Sequence, residues 1–188
     1  MELTGIHNYW KHPDDNNSPI NYLEREETNK RSGFLLGLIK KYAKPEDKIL
    51  EIGCNVGRNL YTLYSNGFKN LEGIDINEKA LILMKRVYPN MQVKTYCSAV
   101  EDIIKKLGKY DVIFTMATLE HIHTDSSWIF KEIQKRAKTL ITIEDEGGIS
   151  WRHFPRNYKN IFKNQVEEIP ISEAEGFDNK YFKARIFK

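Results

Sequence analysis

The chain has 188 residues, 40% of them hydrophobic and 29% charged, which at about 100 to 200 residues per domain predicts a single domain around one substantial core. The charges nearly cancel, and a formal net charge of +3 spread along the whole length is no nucleic-acid footprint. No apolar run approaches the ~20 residues that span a bilayer and residues 1–10 lack a secretion-signal layout, while Cys54 and Cys97, both in apolar context, suggest neither a disulfide framework nor a metal-ligand spacing, so the expectation is a soluble, unprocessed, cytoplasmic protein.

Residues 1–30 are polar, rich in Asn and Asp, with scattered aromatics (Tyr9, Trp10, Tyr22), and read as an irregular or partly helical lead-in packed on the main body. From Ser32 the apolar positions Phe34, Leu35, Leu38, Ile39 and Tyr42 recur at helical spacing, and Pro45 ends that helix. The apolar run 48–53 reads as the first strand. Helices and strands then alternate: helix 59–66, strand 71–76, helix 78–87, strand 92–97, short helix 100–107, strand 110–115, helix 127–135 and strand 139–144. Such alternation predicts an α/β fold with a parallel sheet. The stretches 166–171 and 181–187 read as two further strands, an antiparallel pair at the sheet edge, joined by a polar connection containing Gly176.

Chemistry concentrates in the first strand-to-helix turn. The segment Glu51-Ile52-Gly53-Cys54-Asn55-Val56-Gly57 places two glycines four apart where the chain must turn sharply. Glycine tolerates positive φ and puts no side chain between backbone and ligand, and the next helix offers free N–H groups to the crevice. Two glycines can equally make a plain tight loop. The context favours a ligand, because Asp75 arrives at the end of the second strand about 20 residues later, as binding of two ribose hydroxyls requires. Asn77 suits the N-cap of the following helix better than Asp75 does, which frees Asp75.

Together with Tyr110-Asp111-Val112-Ile113-Phe114 and Leu119-Glu120-His121-Ile122, these motifs resemble the class I S-adenosylmethionine-dependent methyltransferases over roughly residues 45–144. The resemblance implies a doubly wound, mostly parallel, seven-stranded Rossmann-like sheet of order 3-2-1-4-5-7-6, with helices on both faces and an antiparallel edge strand. It implies one domain over 1–188: a lead-in and helix (1–44) able to act as a lid, a cofactor-binding core (45–144), and an acceptor-side segment with an edge hairpin (145–188). In the family an acidic residue stands two positions before the first glycine, as Glu51 does; it would repel a pyrophosphate but favour the ammonium and sulfonium of S-adenosylmethionine. By resemblance, Gly53 and Gly57 lie beside the methionine moiety and Asp75 binds the ribose, with Glu51, Cys54, Asn55 and Ile76 also among the cofactor-binding residues. Ser98, Ala99 and Val100 edge the adenine, and Thr115, Met116 and Ala117 line the floor near the methyl donor. Asn55 stands where a third glycine is usual and Ser98 where an Asp often contacts adenine; Asn tolerates left-handed backbone, and a Ser hydroxyl or backbone N–H still reaches the base.

His121 is the candidate general base, since an ordinary histidine pKa near 6.5 suits proton removal; the alternative is a histidine that packs or hydrogen-bonds within its loop. His121, His123, Glu144, Asp145 and Glu146 could assemble a magnesium site, but carboxylates after a strand are commonly solvated loop residues, and no metal is expected. The segment 150–159 interleaves Trp151, Phe154 and Tyr158 with Arg152, His153, Arg156 and Lys159. It either grips an anionic or sugar-like group or packs a connecting helix. The N-terminal stretch 21–25 is a candidate lid, with Arg25 reaching the cofactor carboxylate.

Thr115-Met116-Ala117-Thr118 is not the Asn/Asp-Pro-Pro-Tyr/Phe box of base-methylating relatives, and no Pro-Cys pair is present, so nucleic acid is a disfavoured partner. Without long insertions between strands, the pocket is shallow or completed by the N-terminal segment, a partner chain or the substrate. The leading reading is a methyltransferase acting on a small polar or carbohydrate-like acceptor. A methyltransferase-like binding or scaffold protein is the alternative, and a nicotinamide-dependent oxidoreductase is argued against by Glu51 and the missing middle glycine. Nothing in the sequence sets the oligomeric state.

Overall fold

The computed structural model describes residues 2–23, 25–177 and 180–188; Glu24 of the expected lid and residues 178 and 179 of the hairpin connection lie outside them. The lead-in is more ordered than its polar composition suggests. Helix α1 (Leu3–Lys11) buries Ile6, and short 3-10 turns follow at Asp15–Asn17 and Pro19–Tyr22. Helix α2 (Glu26–Tyr42) ends where Pro45 forbids continuation.

Strand β1 (Ile49–Ile52) leads into α3 (Arg58–Ser65), β2 (Leu71–Asp75) into α4 (Glu78–Val87), and β3 (Lys94–Cys97) into α5 (Val100–Ile103). The expected helix 100–107 is thus one α-turn continued by a 3-10 turn at Ile104–Lys106. Strand β4 (Tyr110–Met116), α6 (Ile129–Arg136) and β5 (Ala137–Asp145) complete the parallel part, and β6 (Gln165–Pro170) and β7 (Phe182–Phe187) form the hairpin.

The sheet order is β3-β2-β1-β4-β5-β7-β6, with β7 antiparallel to both its neighbours. Period-2 alternation gives the sheet two buried faces. One packs Leu35, Leu38 and Ile39 of α2 and Leu60 and Leu63 of α3 against Ile49, Val112 and Phe114. The other packs Ile129, Phe130 and Ile133 of α6 against Leu50, Ile52 and Ile113. Cys54 is buried, but Cys97 is exposed, contrary to its apolar context: it ends the edge strand β3, which has β2 alone as neighbour. Arg185 of β7, only 2% exposed, binds Glu146 after β5 and Glu168 of β6 and ties the hairpin to the sheet. No helix among the described residues is long and apolar enough to cross a membrane.

Candidate functional site

The sheet order reverses between β1 and β4, and ligands of open α/β sheets bind beyond the carboxyl ends of the strands at such a point. A cavity of about 780 Å³ lies there, within the roughly 300–1,000 Å³ of small-molecule sites. Its floor is the turn after β1, where Gly53 (φ 79°), Asn55 (φ 45°) and Gly57 (φ 70°) are all left-handed. Asn is among the few side chains that accept this backbone, which explains how the turn forms without a third glycine.

Glu51, Gly53, Cys54 and Asn55 line the cavity from this turn, Asp75 and Ile76 from the end of β2, and Ser98, Ala99 and Val100 from the start of α5. Met116, Ala117 and His121 close the side beyond β4. Gly57 and Thr115 are not on this wall. A Cβ at Gly57 would run into Met84 of α4, so that glycine lets the start of α3 pack closely on α4; Thr115 is fully buried within β4, while its neighbour Met116 reaches the cavity.

Glu51 is 2% exposed. Its Oε1 accepts a hydrogen bond from Asn59 Nδ2 at 2.8 Å, whereas Oε2 has no hydrogen-bond partner among the described residues. Burial pushes its pKa up to about 8, opposed only in part by the Asn59 hydrogen bond and the Arg58 charge. The cavity wall therefore carries a carboxyl group with one unpartnered oxygen. Asp75 accepts N–H groups from Asn55 (2.7 Å) and Asn77 (2.8 Å) on its two oxygens; burial raises its pKa and these backbone bonds oppose the rise. A carboxylate has about four acceptor positions, so lone pairs remain for donors in the cavity. Asn77 caps α4 through Ala80 N–H at 3.1 Å, as its spacing predicts.

The N-terminal segment forms the opposite wall. Arg58 of α3 donates to Ser32 Oγ and to the Tyr22 carbonyl, both at 2.9 Å, and His7 meets Glu101 at 3.1 Å. Trp10, Tyr22, Arg25 and Arg31 also line the cavity. Arg25 hydrogen-bonds Asn21 at 3.1 Å. Asn59, Arg58 and the α1 side chains escaped the sequence reading; only the scattered aromatics of the lead-in signalled the last group.

Beyond β4 the carboxylates differ from expectation. Glu144 and Asp145 are buried rather than solvated, because β5 continues to Asp145 and the loop after β4 folds over its end. Glu144 Oε2 accepts N–H groups from Thr118 and Leu119 at 2.9 Å and from Glu120 at 3.4 Å. Glu146 is engaged by Arg185 at 2.7 Å and His123 lies beside Asp125 at 3.4 Å, so the five residues considered for magnesium do not converge. A different set does: Glu120, His121 and His153 place one ligand atom each within 4.8 Å of one another.

His121 Nδ1 lies 3.0 Å from the Arg152 carbonyl. A carbonyl can only accept, so Nδ1 carries the hydrogen and Nε2 the lone pair. Its ring packs against Trp10 (4.4 Å between centroids) and His153 (4.7 Å). Burial lowers its pKa to about 3, far from the value near 6.5 that suits a stored proton. The segment 150–159 contains no connecting α-helix: Tyr158 enters the core, Trp151 packs edge-on against Tyr9 at 4.8 Å, and Arg152 lies over the rings of Tyr9, Trp10 and Trp151.

The sequence profile of a family described as a methyltransferase domain matches residues 49–139, the span that builds the glycine turn, Asp75 and the loop after β4. The matching profile and the solved structures of the same fold are those of class I S-adenosylmethionine-dependent methyltransferases. The chain has the strand order expected of that fold, including the antiparallel β7. The solved structure of magnesium protoporphyrin IX methyltransferase from Synechocystis PCC 6803 with bound S-adenosylhomocysteine superposes with a TM-score of 0.76, covering 98% of this chain and 97% of that one, at 14% identity; this likeness is one of fold. An uncharacterised protein of Rickettsia prowazekii is 25% identical over 141 residues, 72% of this chain and 54% of that protein. A tRNA U34 carboxymethyltransferase of Pseudomonas aeruginosa is 28% identical over 110 residues, 55% of this chain and 34% of that protein. The chain thus spans about half the length, or less, of these two curated relatives.

Proposed function

We propose that the chain binds S-adenosylmethionine in the cavity at the ends of β1, β2 and β4 and transfers its methyl group to a small polar or carbohydrate-like acceptor. The observation that carries this reading is the buried, unpaired Glu51 Oε2 in a left-handed glycine turn, with the Asp75 carboxylate on the same cavity wall. Glu51 would pair with the ammonium of the methionine moiety, and the Gly53–Asn55 backbone would lie against it. Asp75 would accept from the ribose hydroxyls, while Ile76 and Ser98, Ala99 and Val100 would flank the adenine. Gly57 and Thr115 would act one step removed, by shaping the turn and supporting Met116.

When bound, the cofactor supplies an electrophilic methyl group on a sulfonium. The protein's share is to orient the acceptor and exclude water, which can account for much of the rate. The α1 and α2 side chains that close the cavity perform the exclusion, and their position favours a compact acceptor over a base held in a polynucleotide. With its pKa lowered to about 3, His121 would contact the acceptor side as a neutral acceptor group rather than hold its proton.

Isothermal titration with S-adenosylmethionine and S-adenosylhomocysteine tests this reading. Micromolar binding by the intact chain, lost in Asp75→Ala, is expected; no binding by the intact chain would overturn it.

A further inference from the structure

We propose that Glu120, His121 and His153 form a binding site for one divalent transition-metal cation at the acceptor end of the cavity. The three residues come from two loops, the first two from the turn after β4 and His153 from the segment after β5. Those loops are tied by a hydrogen bond from Phe154 N–H to the Glu120 carbonyl at 2.8 Å. All three residues line the cavity.

The geometry is that of a site with its ligands already aimed. Glu120 Oε1 lies 3.7 Å from His121 Nε2 and 3.8 Å from His153 Nε2. Two ligand atoms that share an ion at about 2.1 Å each can be at most about 4.2 Å apart, so both pairs can share one ion. The third pair lies within 4.8 Å, and rotation of the more exposed His153 ring closes it.

The supporting contacts are those that metal ligands require. Glu120 Oε2 accepts the Asp145 N–H at 2.6 Å, which turns Oε1 toward the imidazoles. His121 Nδ1–H is held by the Arg152 carbonyl at 3.0 Å, which points the Nε2 lone pair inward; a ligating histidine almost always has its other nitrogen engaged in this way. Burial grades from 5% side-chain exposure at Glu120 through 14% at His121 to 22% at His153, so one side of the cluster opens to the cavity.

Two imidazoles and one carboxylate select zinc, manganese, iron or cobalt over magnesium or calcium, whose sites are built from oxygen ligands. Three protein ligands leave positions for water or another oxygen. If the methyltransferase reading holds, on which this clause alone rests, those positions would take a hydroxyl or carboxylate oxygen of the acceptor. The proposal reverses the expectation of a metal-free site, which was drawn from residues that do not converge.

The test uses the full chain, stripped with a chelator and titrated with cobalt(II) while its visible absorption is followed, and with zinc(II) by calorimetry. One equivalent bound with a dissociation constant on the order of micromolar is expected, weakened at least about tenfold in His153→Ala and in Glu120→Gln, and unchanged in His12→Ala, which removes an exposed histidine. S-adenosylhomocysteine binding, measured on the same samples, is expected to survive in His153→Ala and so reports both folding and the cofactor reading separately. Absence of a one-to-one cobalt complex, or equal affinity in wild type and a folded His153→Ala, would overturn the site and leave the two histidines as a packed aromatic pair.

Discussion

Replacing Glu51 by Gln should stabilise the ligand-free protein near neutral pH while weakening its hold on the cofactor. Burial raises the Glu51 pKa from 4.5 to about 8. A carboxyl raised in this way has its full contribution to stability below pH 4.5, where it is neutral in both states. That contribution is lost as pH rises toward 8, because the unfolded chain releases the proton first. At about 1.4 kcal/mol per unit, the loss at pH 7 is on the order of 3 kcal/mol. Gln is neutral at every pH and keeps an oxygen for Asn59, but places an amide donor where Oε2 has no partner, which costs about 1 kcal/mol. The net expectation is about 2 kcal/mol of stabilisation at pH 7 to 8, or a melting temperature about 4–8 °C higher for a chain of this size, vanishing at about pH 5, where the loss only matches the amide cost, and slightly reversed below it. Thermal denaturation of both proteins across pH 4.5 to 8 measures it. A second signature is proton release: wild type should release nearly one proton on binding S-adenosylmethionine at pH 7, seen as a dependence of calorimetric heat on buffer, and Glu51→Gln none. A stability difference that does not change with pH, or equal proton release by both proteins, would refute the reasoning.

Gly53→Ala combines a φ of 79° with a Cβ that would overlap the Thr118 side chain; it should cost about 2 kcal/mol or more in urea unfolding and lower cofactor affinity at least about tenfold. Arg185→Ala strands the largely covered Glu146 carboxylate and unties the hairpin; a loss of about 3 kcal/mol in urea unfolding is expected, and a change below about 1 kcal/mol would show that the ion pairs contribute no more than a surface pair.

The alternation of apolar runs and helical periods made the parallel sheet legible, and the strand after Pro45, the glycine turn and Asp75 needed only local spacing. Asn77 as cap and Asn55 as a left-handed residue likewise follow from local backbone preferences. What escaped depends on contacts distant in sequence. Cys97 is exposed because β3 takes an edge position, and Glu144 is buried because the loop after β4 folds over it. Gly57 and Thr115 lie in motifs whose other members reach the cavity, yet side-chain alternation and the packing of α4 turn them elsewhere. The low His121 pKa depends on burial beneath Trp10, and its tautomer on the Arg152 carbonyl; the two histidines meet because separate strand ends converge at the switch point. None of these leaves a periodic or spaced signal.

A crystal structure of the chain with S-adenosylhomocysteine tests the central claim most directly. The account predicts the ammonium within about 3 Å of Glu51 Oε2, the ribose hydroxyls on Asp75, and the adenine between Ile76 and Ser98–Val100. Ligand density elsewhere, or a ligand in the cavity with Glu51 still unpaired, would contradict it.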